Sequence, residues 1–177
     1  MAVRGRNMRC ARNIERAGEM SMDLEHQIVD TWNINNRINL YLLDAIPAAA
    51  LNDLSKSKGR TVAQQLAHLH NVRLMWLKVS GPELMEGLEK IEKENAADKK
   101  LLARRLKESG KAMETLLKNA IEDGGRIKGF KPHVTAFLGY VLSHESHHRG
   151  QIALSLKQSG HPLEKKVGYG LWEWGVR

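Results

Sequence analysis

The chain has 177 residues, 42% of them hydrophobic, and a formal net charge of +8. That length can bury a core without disulfides, and that composition excludes wholesale disorder. No run of about 18 apolar residues occurs, which excludes a membrane-spanning helix. The single Cys10 excludes an intrachain disulfide, so a reducing cytoplasm is the expected setting.

Residues 1–19 carry Arg4, Arg6, Arg9, Arg12 and Arg16 against Glu15 and Glu19. They lack the apolar stretch of roughly 7–15 residues that a secretory signal needs. They are arginine-rich, as transit peptides are, but short of serine. Met20 and Met22 stand just before the first strong helical pattern. The segment therefore reads as a dispensable basic extension, with residues 20–177 forming a single domain. Its five arginines and two glutamates supply about three of the eight net charges. Residues 86–107 interleave acids and bases, as a solvated helix face does. This is not the basic, aromatic-bearing stripe that reads nucleic acid, and no nucleic-acid partner is expected.

Helical periodicity predicts a first helix over residues 22–45, with Leu24, Ile28, Trp32, Ile38 and Leu42 near one stripe. Pro47 ends that pattern. A polar stretch, residues 52–60, leads to Thr61, a good N-cap for a second helix through about Val79. Gly81-Pro82 breaks the chain, and a charged, partly irregular stretch follows. A third helix is predicted over residues 98–121. Gly124-Gly125 and residues 129–132 separate it from a fourth, expected to start near Pro132 in the first turn and to end by Gly160. A tail, residues 167–177, holds Tyr169, Trp172 and Trp174. No β-rich stretch competes, and the expected fold is all-α, a four-helix bundle with a short aromatic C-terminal tail.

Of eight histidines, three lie in His144-Glu145-Ser146-His147-His148. Histidines four apart on a helix share a face, so His144 and His148 can reach one ion. At about 100° per residue, Val134, Leu138, Val141, Ile152 and Leu156 set the apolar direction of the fourth helix. His148 lies about 50° from it, His144 about 90° and His147 about 150°. Two imidazoles beside a core are costly unless something uses their nitrogens. Neighbouring positions on one helix cannot surround an ion, so a third ligand must come from elsewhere. The second helix offers His68 and His70. Its apolar face, set by Val62, Leu66, Leu69, Val72 and Trp76, places both about 100° from its centre, so the wheel leaves the choice open. The histidine that is not a ligand is expected at the surface or boundary.

Glu145 falls near the centre of the apolar face, where a free carboxylate is costly. It is expected to pair with Arg73 or Arg149, to orient a ligand, or to act as a general base. Arg149 and Gln151 are candidate substrate contacts. The structural alternative gives Arg149 a carboxylate partner, uses Gly150 for close helix approach, and bonds Gln151 to a neighbouring loop.

The block from His144 through Arg149-Gly150-Gln151-Ile152 closely resembles the HxxHHRGQI signature of the DinB/YfiT-like superfamily. Residues 61–69, Thr-Val-Ala-Gln-Gln-Leu-Ala-His-Leu, are similar to the segment that carries the first ligand in that family. The resemblance selects His68 over His70. It covers residues 24–160, and the tail Gly170-Leu171-Trp172-Glu173-Trp174 is also similar. It implies a four-helix bundle, often a homodimer, with a three-histidine site, His68, His144 and His148, for zinc, nickel or iron. Relatives include thiol S-transferases that use bacillithiol and an isomerase that uses mycothiol. The resemblance does not imply DNA contact.

Neutral imidazoles suit zinc, iron and nickel alike. Three protein ligands leave a coordination position open for water or substrate, the catalytic rather than the structural pattern. Together with the resemblance, which implies the thiol chemistry, this makes the expected function a metal-dependent enzyme of the thiol S-transferase or isomerase type, acting on a small electrophile with a low-molecular-weight thiol. The alternatives are a non-catalytic metal-binding protein of stress response and a metal-dependent hydrolase. A pocket opening onto the histidines would favour an enzyme.

Overall fold

Each long helix begins where a side chain takes up first-turn N–H groups that have no partner within the helix. In the computed structural model, which describes residues 23–177, Asp23 caps α1, Leu24–Ala45, by accepting from the His26 amide. Thr61 caps α2, Val62–Ser80. Its hydroxyl accepts from the Gln64 amide, and the Gln64 side chain accepts in return from the Thr61 amide, a reciprocal capping box. Asp98 accepts from Lys100 and Leu101 at the head of α3, Lys99–Glu122. His133 Nδ1 accepts from Ala136 to start α4, Val134–Gln158. Pro132 therefore precedes the cap and is not in the first turn, because His133, whose imidazole accepts from the Ala136 amide, is the N-cap and the helix begins at Val134. A short α5, Lys165–Gly170, lies in the tail.

The terminators follow backbone rules. Ile46, before Pro47, is extended, as proline requires of its predecessor. Gly124, Gly125 and Gly160, beyond the ends of α3 and α4, have positive φ, which favours glycine. The described residues form helices and turns and no strand, with one isolated bridge between Arg126 and His133. No helix among them is long and apolar enough to cross a membrane. The basic extension expected over residues 1–19, with Cys10, lies outside the described residues.

The four long helices form a ring in the order α1, α3, α2, α4, with α1 and α2 on one diagonal and α3 and α4 on the other. Two apolar clusters fill it. One holds Leu42, Leu51, Leu66, Leu102, Ile152 and Leu156, and the other Trp32, Leu77, Met113, Leu117, Phe137 and Val141. Of the predicted first-helix stripe, Leu24 is exposed and Trp32, Ile38 and Leu42 are fully buried. On α2, Val72 and Trp76 are only half-buried, and Arg73 is fully buried in the core.

A polar layer separates the two clusters. It contains Asn35, Asn39, Arg73, Ser109, Glu145 and Arg149, all buried. Arg73 Nε donates to Glu145 Oε1 at 2.7 Å and Nη2 to Oε2 at 3.0 Å. Nη1 donates to Asn36 Oδ1 and to the Leu106 carbonyl, both at 2.9 Å. The guanidinium also stacks over Trp32, 4.8 Å from the ring centroid. From α2, one side chain thus binds the other three helices. Asn35 and Asn39 each donate to Glu145 Oε2 at 2.6 Å, so the carboxylate accepts four hydrogen bonds, all a carboxylate can readily accommodate. Their amide oxygens accept from Arg149 Nη1 at 2.8 and 2.7 Å.

At the same level α1 and α3 meet closely. Gly110 takes the Trp32 indole N–H on its carbonyl at 2.8 Å, and a Cβ there would collide with the Asn36 amide. The tail returns onto α1, where Arg37 donates to the Arg177 carbonyl and the Arg177 guanidinium covers Tyr41 at 3.7 Å.

Replacing Glu145 by Gln leaves Arg73 as a buried charge without its counter-ion, at an expected cost of about 3–5 kcal/mol. Urea unfolding should show this, with the paired change Arg73→Met/Glu145→Leu recovering part of the loss. A cost within error for Glu145→Gln would contradict the ion pair. Gly110→Ala overpacks the α1–α3 crossing and should cost about 1–3 kcal/mol by the same measurement, with loss of the Asn36 contact; an unchanged midpoint would show that the crossing has room.

Candidate metal centre

The Arg73–Glu145 pair sets the α2–α4 register, and the histidines follow from it. His68 lies five residues before Arg73, His144 adjoins Glu145, and His148 sits one turn beyond. The structure brings these three together. Their nearest ring nitrogens all lie within 4.8 Å of one another. Ring centroids are 5.3 Å apart for His68 and His144, 4.8 Å for His68 and His148, and 4.7 Å for His144 and His148, each pair edge to face. His148 is buried, and His68 and His144 are half-buried. Gln65, one turn before His68 and itself buried, approaches His148 Nδ1 through Oε1 at 3.4 Å. This contact supports the ring on its Nδ1 side.

The remaining candidates separate from this group. His147 is exposed and shares a hydrogen bond with Gln151 at 2.8 Å. His70 is fully buried rather than at the surface, because its ring closes the chain after α2: the ring's Nε2 meets the Glu89 carbonyl at 2.9 Å. Gln151 bonds its own helix through His147 instead of a loop. Arg149 is held by Asn35, Asn39 and Ser146, and none of these is a carboxylate. Among the described residues nothing lies within 4 Å of a Cβ placed on Gly150, so it serves no close approach of the helices described. Glu145 has its oxygens engaged inside the core. Burial draws its pKa up, but the Arg73 charge and the hydrogen bonds from Arg73, Asn35 and Asn39 outweigh this and hold the carboxyl below its usual value.

Burial favours the neutral form of all three imidazoles. Burial, then the charges of Arg60 and His144, lowers the pKa of His68. Burial also lowers that of His144, against the raising effect of Glu145. His148 is pushed down to about 4, by burial first and then by His144 and His68. Neutral imidazoles are what a divalent ion needs as ligands. The Nδ1 of His144 is buried without a hydrogen-bond partner among the described residues, and no carboxylate stands in the cluster. Basic nitrogens facing one another with no proton donor between them fit a cation, and the donor set suits zinc, nickel or iron.

A cavity of about 250 Å³ adjoins His68, with Ala67, Ile91 and Ala96 as its apolar part and Asn71 at its side. Its outer wall, residues 86–96, contains no α-helix and is pinned by side chains from α2 and α3. Asn71 Nδ2 donates to the Ile91 carbonyl at 2.9 Å and its Oδ1 accepts from the Ile91 amide at 3.0 Å. Arg105 donates to the Gly87 carbonyl and pairs with Glu89. Periodicity did not single out Asn35, Asn39, Gln65 or Asn71, all polar residues on helix faces turned inward. The four-residue spacing of Asn35 and Asn39 was the one available signal.

In the metal-free protein the folded pKa of His148, about 4, lies below its unfolded value of 6.5. Between these values the unfolded chain binds the extra proton, so stability falls as pH drops through that window. The urea midpoint of metal-free protein should therefore decrease from pH 7 to pH 5, and His148→Gln should flatten the slope. A midpoint that rises on acidification would contradict the lowered pKa.

A family model, described as DinB family, matches residues 20–169. Neither a curated protein nor a solved structure matches the chain. With helices alone in the described residues and the histidine group in place, the family match covers most of the sequence. The chain belongs to the DinB family.

Proposed function

We propose that this four-helix bundle is a metal-dependent enzyme of the thiol S-transferase or isomerase type, in which His68, His144 and His148 hold one divalent ion and a small thiol is activated beside it to attack a small electrophile. The observation that carries this reading is the meeting of three ring nitrogens within 4.8 Å at a cavity that has His68 in its wall. Three protein ligands leave a position open for substrate. Zinc, nickel or iron bound there supplies Lewis acidity, lowering the pKa of a thiol or water toward neutrality.

The chain's own residues do the rest. Gln65 orients His148, and the Arg73–Glu145 pair with Asn35 and Asn39 holds α2 and α4 in the register that keeps the three rings together. His70 and Asn71 hold the cavity wall against α2. The cavity's opening at His68 favours turnover over a metal-binding protein without chemistry. A thiol rather than water as the nucleophile is the choice that separates this reading from a hydrolase.

After loading with zinc, nickel or iron, elemental analysis should find close to one ion per chain. His68→Ala, His144→Ala and His148→Ala should each fall well below that stoichiometry. His147→Ala and His70→Ala should retain the ion, with His70→Ala losing about 1–3 kcal/mol of stability because a fully buried ring and its hydrogen bond to the Glu89 carbonyl are lost. Loaded wild type should consume thiol with an aryl halide faster than free ion does. Thiol consumption at the free-ion rate would overturn the enzymatic reading, and a full complement of metal in His144→Ala would overturn the ligand set.

A further inference from the structure

The cavity beside His68 carries charge that the histidine site does not explain. Arg60, Lys90 and Lys93 line it, against Glu92 as its one carboxylate among the described residues. Lys90 pairs with Glu92 at 3.1 Å, whereas Arg60 and Lys93 make no ion pair among the described residues. Arg60 also lines a second cavity, of about 300 Å³, on the other side of the N-terminus of α2, which contains Gln65. Arg60 thus stands between the opening at His68 and the residue that orients His148.

A basic protein carries many solvated cations, and most need no ligand. Three features set this group apart. The charges face a recess whose floor, Ala67, Ile91 and Ala96, is apolar. The wall that carries Lys90 is fixed by the paired Asn71–Ile91 hydrogen bonds and by His70, so its position is set before anything binds. Arg60 also lines the same cavity as His68, one of the three clustered imidazoles. A cation beside a centre suited to a divalent cation is repulsive unless an anion lies between them.

The geometry points to an anionic substrate: a small thiol bearing a carboxylate, with the carboxylate held by Arg60 and by Lys90 and Lys93 at the rim, and its apolar part on Ala67, Ile91 and Ala96. This rests on the thiol-activation reading above and names its substrate class. A volume of about 250 Å³ lies just below the roughly 300–1,000 Å³ of ligand pockets in general, which limits the substrate to a small molecule. Arginine suits the role because its planar fork takes a carboxylate through two parallel hydrogen bonds.

Two titrations separate the anion site from thiol activation. In the first, metal-free protein is titrated with N-acetylalanine and with N-acetylalaninamide, followed by backbone amide NMR shifts of residues around the cavity. The acid should bind saturably and the amide should not, and Arg60→Gln, at an exposed position where folding is unaffected, should abolish the difference. Arg60→Lys should restore part of it, and added salt should weaken it because the rim is open to solvent. Equal shifts from acid and amide, or an acid preference that survives Arg60→Gln, would overturn the inference. In the second, nickel-loaded protein is titrated with N-acetylcysteine and with its methyl ester, read by the thiolate-to-metal absorption band. The acid should bind at least about ten-fold more tightly than the ester, and Arg60→Gln should bring the two together. A band of equal affinity from both thiols would leave thiol activation standing and remove the anion site. No band from either thiol would remove the thiol reading, and the first titration would then decide the anion site alone.

Discussion

The Arg73–Glu145 pair is where the whole arrangement is fixed. Both side chains are essentially without solvent contact, and taking two such charges out of water costs several kcal/mol per ion before their attraction is counted. The layer offsets this by saturation: the carboxylate accepts from Arg73 twice and from Asn35 and Asn39, and the guanidinium also reaches α1 and α3. Such a network tolerates little displacement, because sliding α2 against α4 by one residue would strand a buried charge. The register of the two histidine-bearing helices is therefore set by groups that take no part in the histidine cluster.

This division of labour keeps the two kinds of polar chemistry apart. Glu145 adjoins His144 in sequence, yet its oxygens are committed to the core. A carboxylate turned toward the imidazoles would raise their pKa values and favour protonated rings at neutral pH. With Glu145 held by Arg73, burial is the largest influence on each of the three rings and lowers their proton affinity, while Glu145 raises that of His144 without reversing the direction. Arg149 completes the layer as a second buried cation. Burial lowers its pKa and Arg73 lowers it further, while Glu145 acts in the opposite direction, and the amide oxygens of Asn35 and Asn39 provide the acceptors.

The cavity wall shows the same economy in an irregular segment. Residues 86–92 have no repeating hydrogen-bond pattern of their own, and they take their shape from His70, Asn71 and Arg105 on helices already positioned by the core. Loops placed by a rigid scaffold are common carriers of binding residues, and here the loop contributes Lys90 and one side of the recess at His68.

The helices were legible in the sequence because burial imposes a 3.6-residue period on any chain that packs one helix face, and all four long helices lie within a few residues of their predicted spans. Wheel angles also ranked the α4 histidines in their order of burial, since a direction on a helix survives packing. Partners across the core were not legible. Nothing in the pattern distinguished Arg73 from Arg149 as the counter-ion of Glu145, or showed that His70 would be enclosed while His68 stayed half-open, because both α2 histidines lie at equal angles from the apolar face. Only the neighbours break that symmetry: the chain after α2 folds back over His70, and α4 comes up against His68. Periodicity is a property of one helix, and so the sequence determined which residues turn inward. What each of them meets there depends on other helices packed against it, and only the tertiary structure decided that.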